Sequence, residues 1–337
     1  MHTINVNEKS VELLPYKAED VTHPIREIPK GIQMIQAPLF WEKGQYGRGV
    51  IIAVLDTGCD IQHPDLKERI VGGRNFTDDD SGDPEKFIDY NGHGTHVAGT
   101  IAATKNDQGV VGVAPEAGLL ILKVLNRKGR GKAEWIAQAI DYAIEHRVQI
   151  ISMSLSSSAY SSAMHDAIKR AVELDIIVVC AAGNSGREEY RYPASYNEST
   201  SVGAVDFTRK APYFLTQNNE VDLTAPGVNV LSTFPLDLVP DKDNPYKVLS
   251  GTSMAAPHVT GALALLLNYC QDTSQFNRKL TEAELYAQIV KRTIPLGSDK
   301  TIEGNGLLYL TANDILENFI QKHPPDLNQY GSQIKEI

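Results

Sequence analysis

The sequence predicts an α/β fold in which a mainly parallel sheet is flanked by helices. Short runs of Ile, Val and Leu alternate with segments that carry apolar residues at helical spacing. Continuous apolar runs are typical of parallel strands buried on both faces, and the alternating order favours a doubly wound sheet. The predicted strands are 50–55, 119–124, 150–155 and 176–180, and the clearest helices are 133–145 and 162–174.

The two ends of the chain differ from this pattern. The first 40 residues contain Pro15, Pro24, Pro29 and Pro38, so this segment is predicted to be an extended, turn-rich arm. Each proline fixes its own φ and disfavours helix at the residue before it. The segment from His323 onwards has no periodicity and is predicted to be a flexible tail.

Composition excludes several classes of protein. The 337 residues are 42% hydrophobic and 22% charged, which is ordinary for a folded globular chain. Lys and Arg number 32 against 42 Asp and Glu, and the resulting net charge of −10 argues against nucleic acid as a partner. No apolar run is long enough to span a bilayer, so no membrane association is expected.

The cysteines indicate a reducing compartment. Cys59, Cys180 and Cys270 are widely spaced, and each lies in or beside an apolar run. An odd number in such places is typical of free, buried thiols. The N-terminal residues also do not resemble a secretory signal, so we expect the protein to be cytoplasmic.

Three of the predicted strands run directly into polar segments, at 56–58, 154–158 and 181–184. In open α/β sheets, ligands bind beyond the carboxyl ends of the strands. One site built from all three segments is the simplest interpretation.

Three residues fit the chemistry of acyl transfer, which needs a nucleophile, a base and an acid that orients the base. Ser253 follows a turn with Gly251 and precedes a long Ala- and Leu-rich helix, in whose first turn Pro257 is expected. His93 lies among three glycines, and Asp56 ends a predicted strand. Each residue alone is more often a cap or a structural group, but the combination favours catalysis.

Four segments resemble the signature motifs of the subtilisin family of serine endopeptidases, in that family's order. They are 53–58 (AVLDTG), 91–100 (NGHGTHVAGT), 181–184 (AAGN) and 251–258 (GTSMAAPH). The similarity covers about residues 31–314 and is greatest to the intracellular subtilisins of bacilli. It implies a single subtilisin-like domain at 31–322, an N-terminal inhibitory extension at 1–30 and a tail at 323–337.

The resemblance implies a role for each matching residue. Ser253 is the nucleophile, His93 the general base and Asp56 the acid that orients the imidazole, while Asn184 donates to the oxyanion. Protein or peptide substrates are implied as well. The implied substrate-binding residues are Gly129, Arg130, Gly131, Ser154, Leu155, Ser156, Ala181, Gly183 and Arg191.

The cleft departs from the family pattern at two places. Ser156 and Ser157 stand on the cleft wall where the family has glycines, and they narrow it. Arg191 stands at the base of the primary specificity pocket, where the family has a small residue. If Arg191 points inward, an acidic substrate side chain is preferred; if it points outward, it is solvated and ion-paired with Glu188 or Glu189.

The altered cleft leaves a second function open. In that hypothesis the chain is a subtilisin-like peptide-binding protein with very narrow specificity or weak catalysis.

The resemblance also implies a Ca²⁺ site, for which oxygen ligands of mixed kind are suitable. The alternative is a polar loop without an ion. The implied ligands are the side chains of Asp65 and Asn106 and the carbonyls of Thr104, Gln108 and Val110.

Leu13, Leu14, Pro15 and Tyr16 resemble the segment by which intracellular subtilisins hold their own extension across the cleft. Proline has a fixed φ and no N–H, so it presents a peptide bond poorly placed for attack. The alternative is an arm that packs on the surface. The resemblance further implies a homodimer, with residues 279–321 as a candidate interface.

A metal hydrolase built from Asp60, His63, His93 and His96 is the competing interpretation. The H-x-x-H spacing matches no zinc signature, and the general-base Glu of H-E-x-x-H is missing. We instead predict that His96 and His258 are packed structural residues and that His63 lies in a turn.

Overall fold

The computed structural model describes residues 10–21, 26–272 and 278–322, so the predicted tail from His323 lies outside the described residues. The strands of this part are β1 Ser10–Leu13, β2 Lys17–Asp20, β3 Arg26–Glu27, β4 Ile51–Asp56, β5 Ile70–Asn75, β6 Gly109–Val110, β7 Gly118–Lys123, β8 Arg130–Lys132, β9 Ile150–Met153, β10 Leu155–Ser156, β11 Ile177–Ala181, β12 Ser199–Val205, β13 Leu223–Pro226, β14 Val230–Thr233, β15 Tyr246–Ser250, β16 Thr293–Ile294 and β17 Leu307–Leu308. Its α-helices are α1 Lys30–Met34, α2 Ala37–Phe40, α3 His93–Ala102, α4 Ala133–Glu145, α5 Ser162–Glu173, α6 Thr252–Asp272, α7 Glu282–Val290, α8 Lys300–Glu303 and α9 Ala312–Lys322.

One nine-stranded sheet forms the centre of the fold, in the order β16-β17-β13-β12-β11-β9-β4-β7-β5. Every neighbouring pair is parallel except β16 and β17, which confirms the prediction of a mainly parallel sheet. Strands β4, β9 and β11 are neighbours. Their carboxyl ends therefore bring the three polar segments to one edge of the sheet.

Helices cover the sheet on both faces. Along β4, Ile52 and Val54 belong to the core cluster that includes residues of α3 and α6. The alternate residues Ala53 and Leu55 belong to the cluster that includes residues of α4 and α5. This alternation follows from the two-residue period of a strand, and it explains why β4 is apolar at every position before Asp56.

The sequence prediction of individual elements is correct for most of the core. The four predicted strands lie within two residues of β4, β7, β9 and β11, and both predicted helices match α4 and α5 closely. The prediction that the first 40 residues are extended is wrong for α1 and α2. Pro29 is the N-cap of α1 and Pro38 lies in the first turn of α2, where a missing N–H breaks no hydrogen bond.

Three small sheets contain residues of the N-terminal segment, and the smallest of them pairs β3 with β6. Strand β1 lies between β8 and β10, and β2 pairs with β15 at the edge of a second sheet that also contains β14. The three cysteines are free and buried, as predicted. None of the helices in the described ranges has the length and apolar composition needed to cross a membrane.

Candidate active site

The site is centred on the contact between the end of β4 and the start of α3. Asp56 is the last residue of β4 and His93 the first of α3, and both side chains are buried. His93 Nδ1 lies 2.8 Å from Asp56 Oδ1, which also accepts a hydrogen bond from the Thr57 N–H at 2.7 Å. An acceptor oxygen at this position favours the His93 tautomer with the proton on Nδ1, in which Nε2 is free to accept a proton.

Asp89 holds these two elements in place, a role that we did not predict from the sequence. Its Oδ1 accepts from the Thr57 hydroxyl at 2.8 Å and from the Gly92 N–H at 2.8 Å. Its Oδ2 accepts from the N–H and the hydroxyl of Thr95. An acidic residue just before a glycine-rich helix start is the sequence signal that could have indicated this cap.

Ser253 lies in the first turn of α6 and is fully buried. Its hydroxyl donates to the Ser154 carbonyl at 3.3 Å, which is long for an O–H···O bond. Among the described residues, His93 Nε2 has no hydrogen-bond partner. The base and the hydroxyl are thus not bonded to each other here, and such bonds commonly tighten only when substrate binds.

Pro257 stabilises the geometry around Ser253 in an unexpected way. It lies beyond the first turn of α6, not in the first turn as expected from the sequence. Because proline has no N–H, it cannot donate to the carbonyl of Ser253, four residues before it. That carbonyl instead accepts a hydrogen bond from the Ser154 hydroxyl at 3.0 Å. The cleft wall and the start of α6 are therefore joined directly.

Asn184 presents its amide N–H₂ to the cleft. Its Oδ1 accepts from both the N–H and the hydroxyl of Thr252, at 2.9 and 2.8 Å. These two donors fix the orientation of the amide, since only the oxygen can accept. The Nδ2 donates at 2.7 Å to the carbonyl of Pro15, a residue of the N-terminal arm.

The arm lies along the cleft between two of its walls. Val11 pairs with Gly131 and Glu12 with Arg130 on one side, and Leu13 pairs with Leu155 on the other, all antiparallel.

Two further contacts extend this antiparallel pairing. The Leu13 N–H donates to the Gly129 carbonyl at 2.9 Å, and Glu12 also lies opposite Ser156. The predicted segments 129–131 and 154–156 thus contact the arm as an added strand.

Two apolar side chains of the arm are buried. Val11 is fully buried in the core cluster that includes Ala133 and Ile136, and Leu14 is 3% exposed. The arm is therefore packed into the molecule, unlike an arm that merely lies on the surface.

Tyr16 places a ring over the catalytic histidine candidate. The centroids of the Tyr16 and His93 rings are 5.2 Å apart, and the Tyr16 hydroxyl donates to Asn91 at 3.2 Å. Burial, together with the negative charges of Asp89 and Asp56, raises the pKa of Tyr16 to about 12. The ring stays neutral and shields His93 from solvent.

Arg191 does not match either of the two predicted arrangements completely. Its side chain is 21% exposed and its Nε donates to Glu189 at 2.6 Å. It is therefore ion-paired, as in the outward alternative, but only partly exposed to solvent. Its Cγ also lies 3.4 Å from the position that a Cβ on Gly183 would occupy, next to Asn184.

The predicted calcium loop surrounds a pocket of about 250 Å³. Asp65 is buried, and its carboxylate accepts from the Asn106 amide at 3.0 Å and from the Val110 N–H at 3.1 Å. In the described part of the chain, the buried Thr104 hydroxyl has no partner. The implied carbonyls of Thr104, Gln108 and Val110 lie in the same loop, so the donors fit Ca²⁺ in their chemistry.

The competing metal-hydrolase interpretation has no support in the described residues, which contain no cluster of three or more His, Cys, Asp or Glu that could hold a metal. His63 Nε2 lies 3.1 Å from the Pro245 carbonyl, and its Nδ1 accepts from the Asp65 N–H. His96 Nε2 lies 3.0 Å from the Val230 carbonyl. These histidines are thus bonded to the backbone.

His96 and His258 are fully buried beside the site, as predicted. Burial, with a smaller effect of His93, lowers the pKa of His96 from 6.5 to about 3. Burial also lowers the pKa of His258 from 6.5 to about 4. Both imidazoles are therefore neutral in the folded protein at pH 7.

Acid is expected to destabilise the fold through these two residues. In the unfolded chain these two histidines bind protons below about pH 6.5, whereas in the folded chain they stay neutral. Their contribution to the free energy of unfolding is therefore complete above pH 6.5. It falls as the pH is lowered towards 4 for His258 and towards 3 for His96. At pH 5 the loss is about 2 kcal/mol per histidine. We expect urea unfolding at pH 7 and pH 5, in a Ser253→Ala background that prevents self-digestion, to show this difference.

His96→Gln should reduce the difference by about 2 kcal/mol. His146→Gln, at an exposed histidine, is the control and should leave it unchanged. Equal free energies of unfolding at the two pH values would contradict the prediction.

Asp56 at the carboxyl end of β4, with His93 and Ser253 at the starts of two helices, resembles the arrangement of a serine hydrolase. Comparisons with known proteins agree. The subtilase family model matches residues 47–311. The chain belongs to the subtilase family of serine endopeptidases.

Three relatives show how far the similarity extends. The chain is 58% identical over 310 residues to the intracellular serine protease of Paenibacillus polymyxa, covering 90% of this chain and 92% of that protein. It is 51% identical over 320 residues to the major intracellular serine protease of Bacillus subtilis (strain 168), covering 93% and 98%. Subtilisin E of the same strain is 39% identical over 275 residues, covering 78% and 69%.

Proposed function

We propose that this serine endopeptidase hydrolyses protein and peptide substrates through an acyl-enzyme formed on Ser253. His93 takes the hydroxyl proton and returns it to the leaving amine, while Asp56 holds the imidazole in the required tautomer. Asn184 donates to the oxyanion. The observation that carries the proposal is the 2.8 Å contact between Asp56 and His93, which leaves Nε2 without a partner among the described residues.

A serine-directed organophosphonate probe tests this proposal. An activated nucleophile is labelled covalently, whereas an ordinary buried hydroxyl is not. We expect labelling of the chain from which the arm has been removed, and none in the same chain with Ser253→Ala. Labelling that persists in the variant would place the nucleophile elsewhere.

A second candidate function is a peptide-binding protein with very narrow specificity or weak catalysis. It is favoured by Ser156, whose buried hydroxyl lacks a partner in the described residues and lies on the wall that contacts the arm. A polar wall of this kind would select few substrates. Failure of the armless chain to react with the probe would support this candidate.

The N-terminal extension, residues 1–30, is proposed to inhibit the enzyme by occupying the cleft. Support comes from the hydrogen bond between Asn184 and the Pro15 carbonyl, which puts an arm carbonyl where the oxyanion donor is aimed. The ladder with β10 ends at Leu13, two residues earlier. Pro15 has no N–H with which to continue it, so the peptide bond is held without the alignment that attack needs.

The location and the partners are proposed from the relatives. The proteins of Paenibacillus polymyxa and Bacillus subtilis are named intracellular, and we propose that this chain is cytoplasmic as well. The three free, buried cysteines agree with a reducing compartment. A homodimer is proposed on the family resemblance alone.

Ca²⁺ is proposed as a structural cofactor held by Asp65, Asn106 and the carbonyls of Thr104, Gln108 and Val110. It would supply a positive charge that ties the loop 104–110 to the buried carboxylate. This charge lies in a loop away from the residues proposed for catalysis, so its effect is on stability.

Chelation is expected to lower the thermal stability of the protein. Free Ca²⁺ at about 1,000 times its Kd stabilises a folded protein by about 4 kcal/mol if the unfolded chain does not bind it. Melting of the Ser253→Ala variant with excess Ca²⁺ and with chelator measures this effect. Asn106→Ala should abolish the calcium-dependent part, whereas Asp107→Asn, an exposed neighbour, should retain most of it. The same melting temperature with and without Ca²⁺ would contradict the proposal.

A further inference from the structure

The cleft has a charged corner where the wall strand meets the oxyanion donor. Beyond β10, the wall continues at Ser157, which exchanges two backbone hydrogen bonds with Tyr192 at 2.7 and 2.9 Å. Arg191 therefore begins directly beside the wall. Its Cγ lies near Gly183, and Gly183 precedes the residue that donates to the arm carbonyl. A substrate side chain that enters this corner would lie beside the Arg191 side chain.

The guanidinium already has a negative partner. Glu189 accepts from Arg191 Nε at 2.6 Å, and the two side chains are only 32% and 21% exposed. Burial raises the pKa of Glu189, but hydrogen bonds from Arg191 and Ser185 outweigh this effect and lower it. Glu189 is thus ionised at neutral pH. Among the described side chains of the corner, Arg191 is the only cation that it contacts directly, and Glu189 neutralises this charge.

Glu189 is also fixed in position by its backbone. Its N–H donates to the Gln217 carbonyl at 3.2 Å, and its carbonyl accepts from the Asn218 amide at 2.8 Å. The neighbouring Ser185 hydroxyl is bonded to Thr216 at 3.0 Å. These bonds place the Glu189 backbone beside Arg191, where its carboxylate is bonded to Nε, so a substrate carboxylate must share the guanidinium with it.

We infer that Glu189 determines how strongly this protease selects acidic side chains, because it occupies the guanidinium that a substrate carboxylate would otherwise bind. Among the described residues, the side-chain hydrogen bond of Arg191 is made at Nε, so the other N–H groups of its planar fork can still bind an acidic side chain. The acidic side chain binds against the repulsion of Glu189. The inference rests on the proposed function, and it predicts only a weak acidic preference in the parent chain.

The test compares kcat/KM for two peptides that differ only in Glu or Leu before the scissile bond, using the full chain. The arm excludes both peptides alike, so it lowers both values by the same factor and leaves their ratio unchanged. Glu189→Gln should raise the Glu/Leu ratio about fivefold to tenfold, which is the effect of freeing one charge-assisted hydrogen bond at a partly exposed site. Arg191→Ala should lower the ratio.

Two controls separate this effect from a general structural change. Glu188→Gln removes the same charge at an exposed neighbouring position and should change the ratio less than twofold. In the Arg191→Ala background, Glu189→Gln should no longer raise the Glu/Leu ratio, because Glu189 affects the substrate only by occupying the Arg191 guanidinium. An equal effect of the two Glu variants, or a full effect of Glu189→Gln without Arg191, would overturn the inference.

If the parent chain hydrolyses neither peptide, the result contradicts the proposed function but not this inference. In that case the same ratio is measured as Kd values of peptides that end in Glu or Leu, bound to Ser253→Ala and to its Glu189→Gln derivative. We expect the same relative gain for the Glu peptide, and an unchanged ratio of Kd values would overturn the inference.

Discussion

Replacing Ser253 by Ala is expected to reduce peptide hydrolysis by about 10⁶-fold in kcat, the size of loss known for a member of this family that lacks its nucleophile. The hydroxyl is small, and its only hydrogen bond in the described structure is a long one to the Ser154 carbonyl. Its removal should therefore leave the fold intact. Cleavage of a chromogenic peptide measures the loss of activity. The far-ultraviolet circular dichroism of the variant shows whether the fold is retained.

The matched control is Ser162→Ala, which removes an exposed hydroxyl from the first turn of α5. It should retain full activity. Asp56→Asn should lose about 10⁴-fold, because an amide N–H₂ facing Nδ1 favours the tautomer with its proton on Nε2. A Ser253→Ala chain that hydrolyses the peptide at even one hundredth of the parent rate would refute the assignment of the nucleophile.

The fold could be predicted from the sequence wherever burial alone decides the structure. Strands β4, β7, β9 and β11 are buried on both faces, so their apolar runs were sufficient evidence. The segment after β9 was less predictable. Leu155 and Ser156 leave the main sheet and pair with the arm, and this partner is distant in sequence. Apolar patterning cannot identify such long-range pairing.

The candidate site could be predicted at its motif residues and less so at the groups around them. Asp56, His93, Ser253 and Asn184 lie in motifs, and the structure brings all four to one cleft. Asp89 belongs to none of these motifs, and its place before a glycine-rich helix start indicates a cap at most, since its five donors are apparent only in the folded structure.

Arg191 illustrates a further reason for incomplete prediction. The sequence offered two orientations, towards the pocket or towards solvent, and each was treated as exclusive. The structure holds the side chain near Gly183 and pairs it with Glu189 at the same time. Which residue neutralises a charge depends on the path of the loop between them, and this path is set by backbone bonds to Gln217 that no local pattern reveals.

Removing residues 1–16 is expected to raise kcat/KM by about 100-fold or more. A segment tethered beside the cleft competes with substrate at an effective concentration in the millimolar range, which far exceeds that of a peptide added at micromolar levels. The deletion retains β2 and its pairing with β15, so the domain should still fold. Initial rates with a short peptide, at equal concentrations of active sites, measure the gain.

Val11→Asp tests the same mechanism without truncation. The Val11 side chain is fully buried in an apolar cluster, and burying a carboxylate there costs several kcal/mol. The arm should therefore leave the cleft, and the activity should approach that of the deleted chain. Ser10→Ala, at the exposed start of β1, is the control and should remain inhibited. If the deleted chain, the Val11→Asp chain and the parent hydrolyse the peptide at equal rates, the arm takes no part in control, and its position in the cleft reflects packing alone.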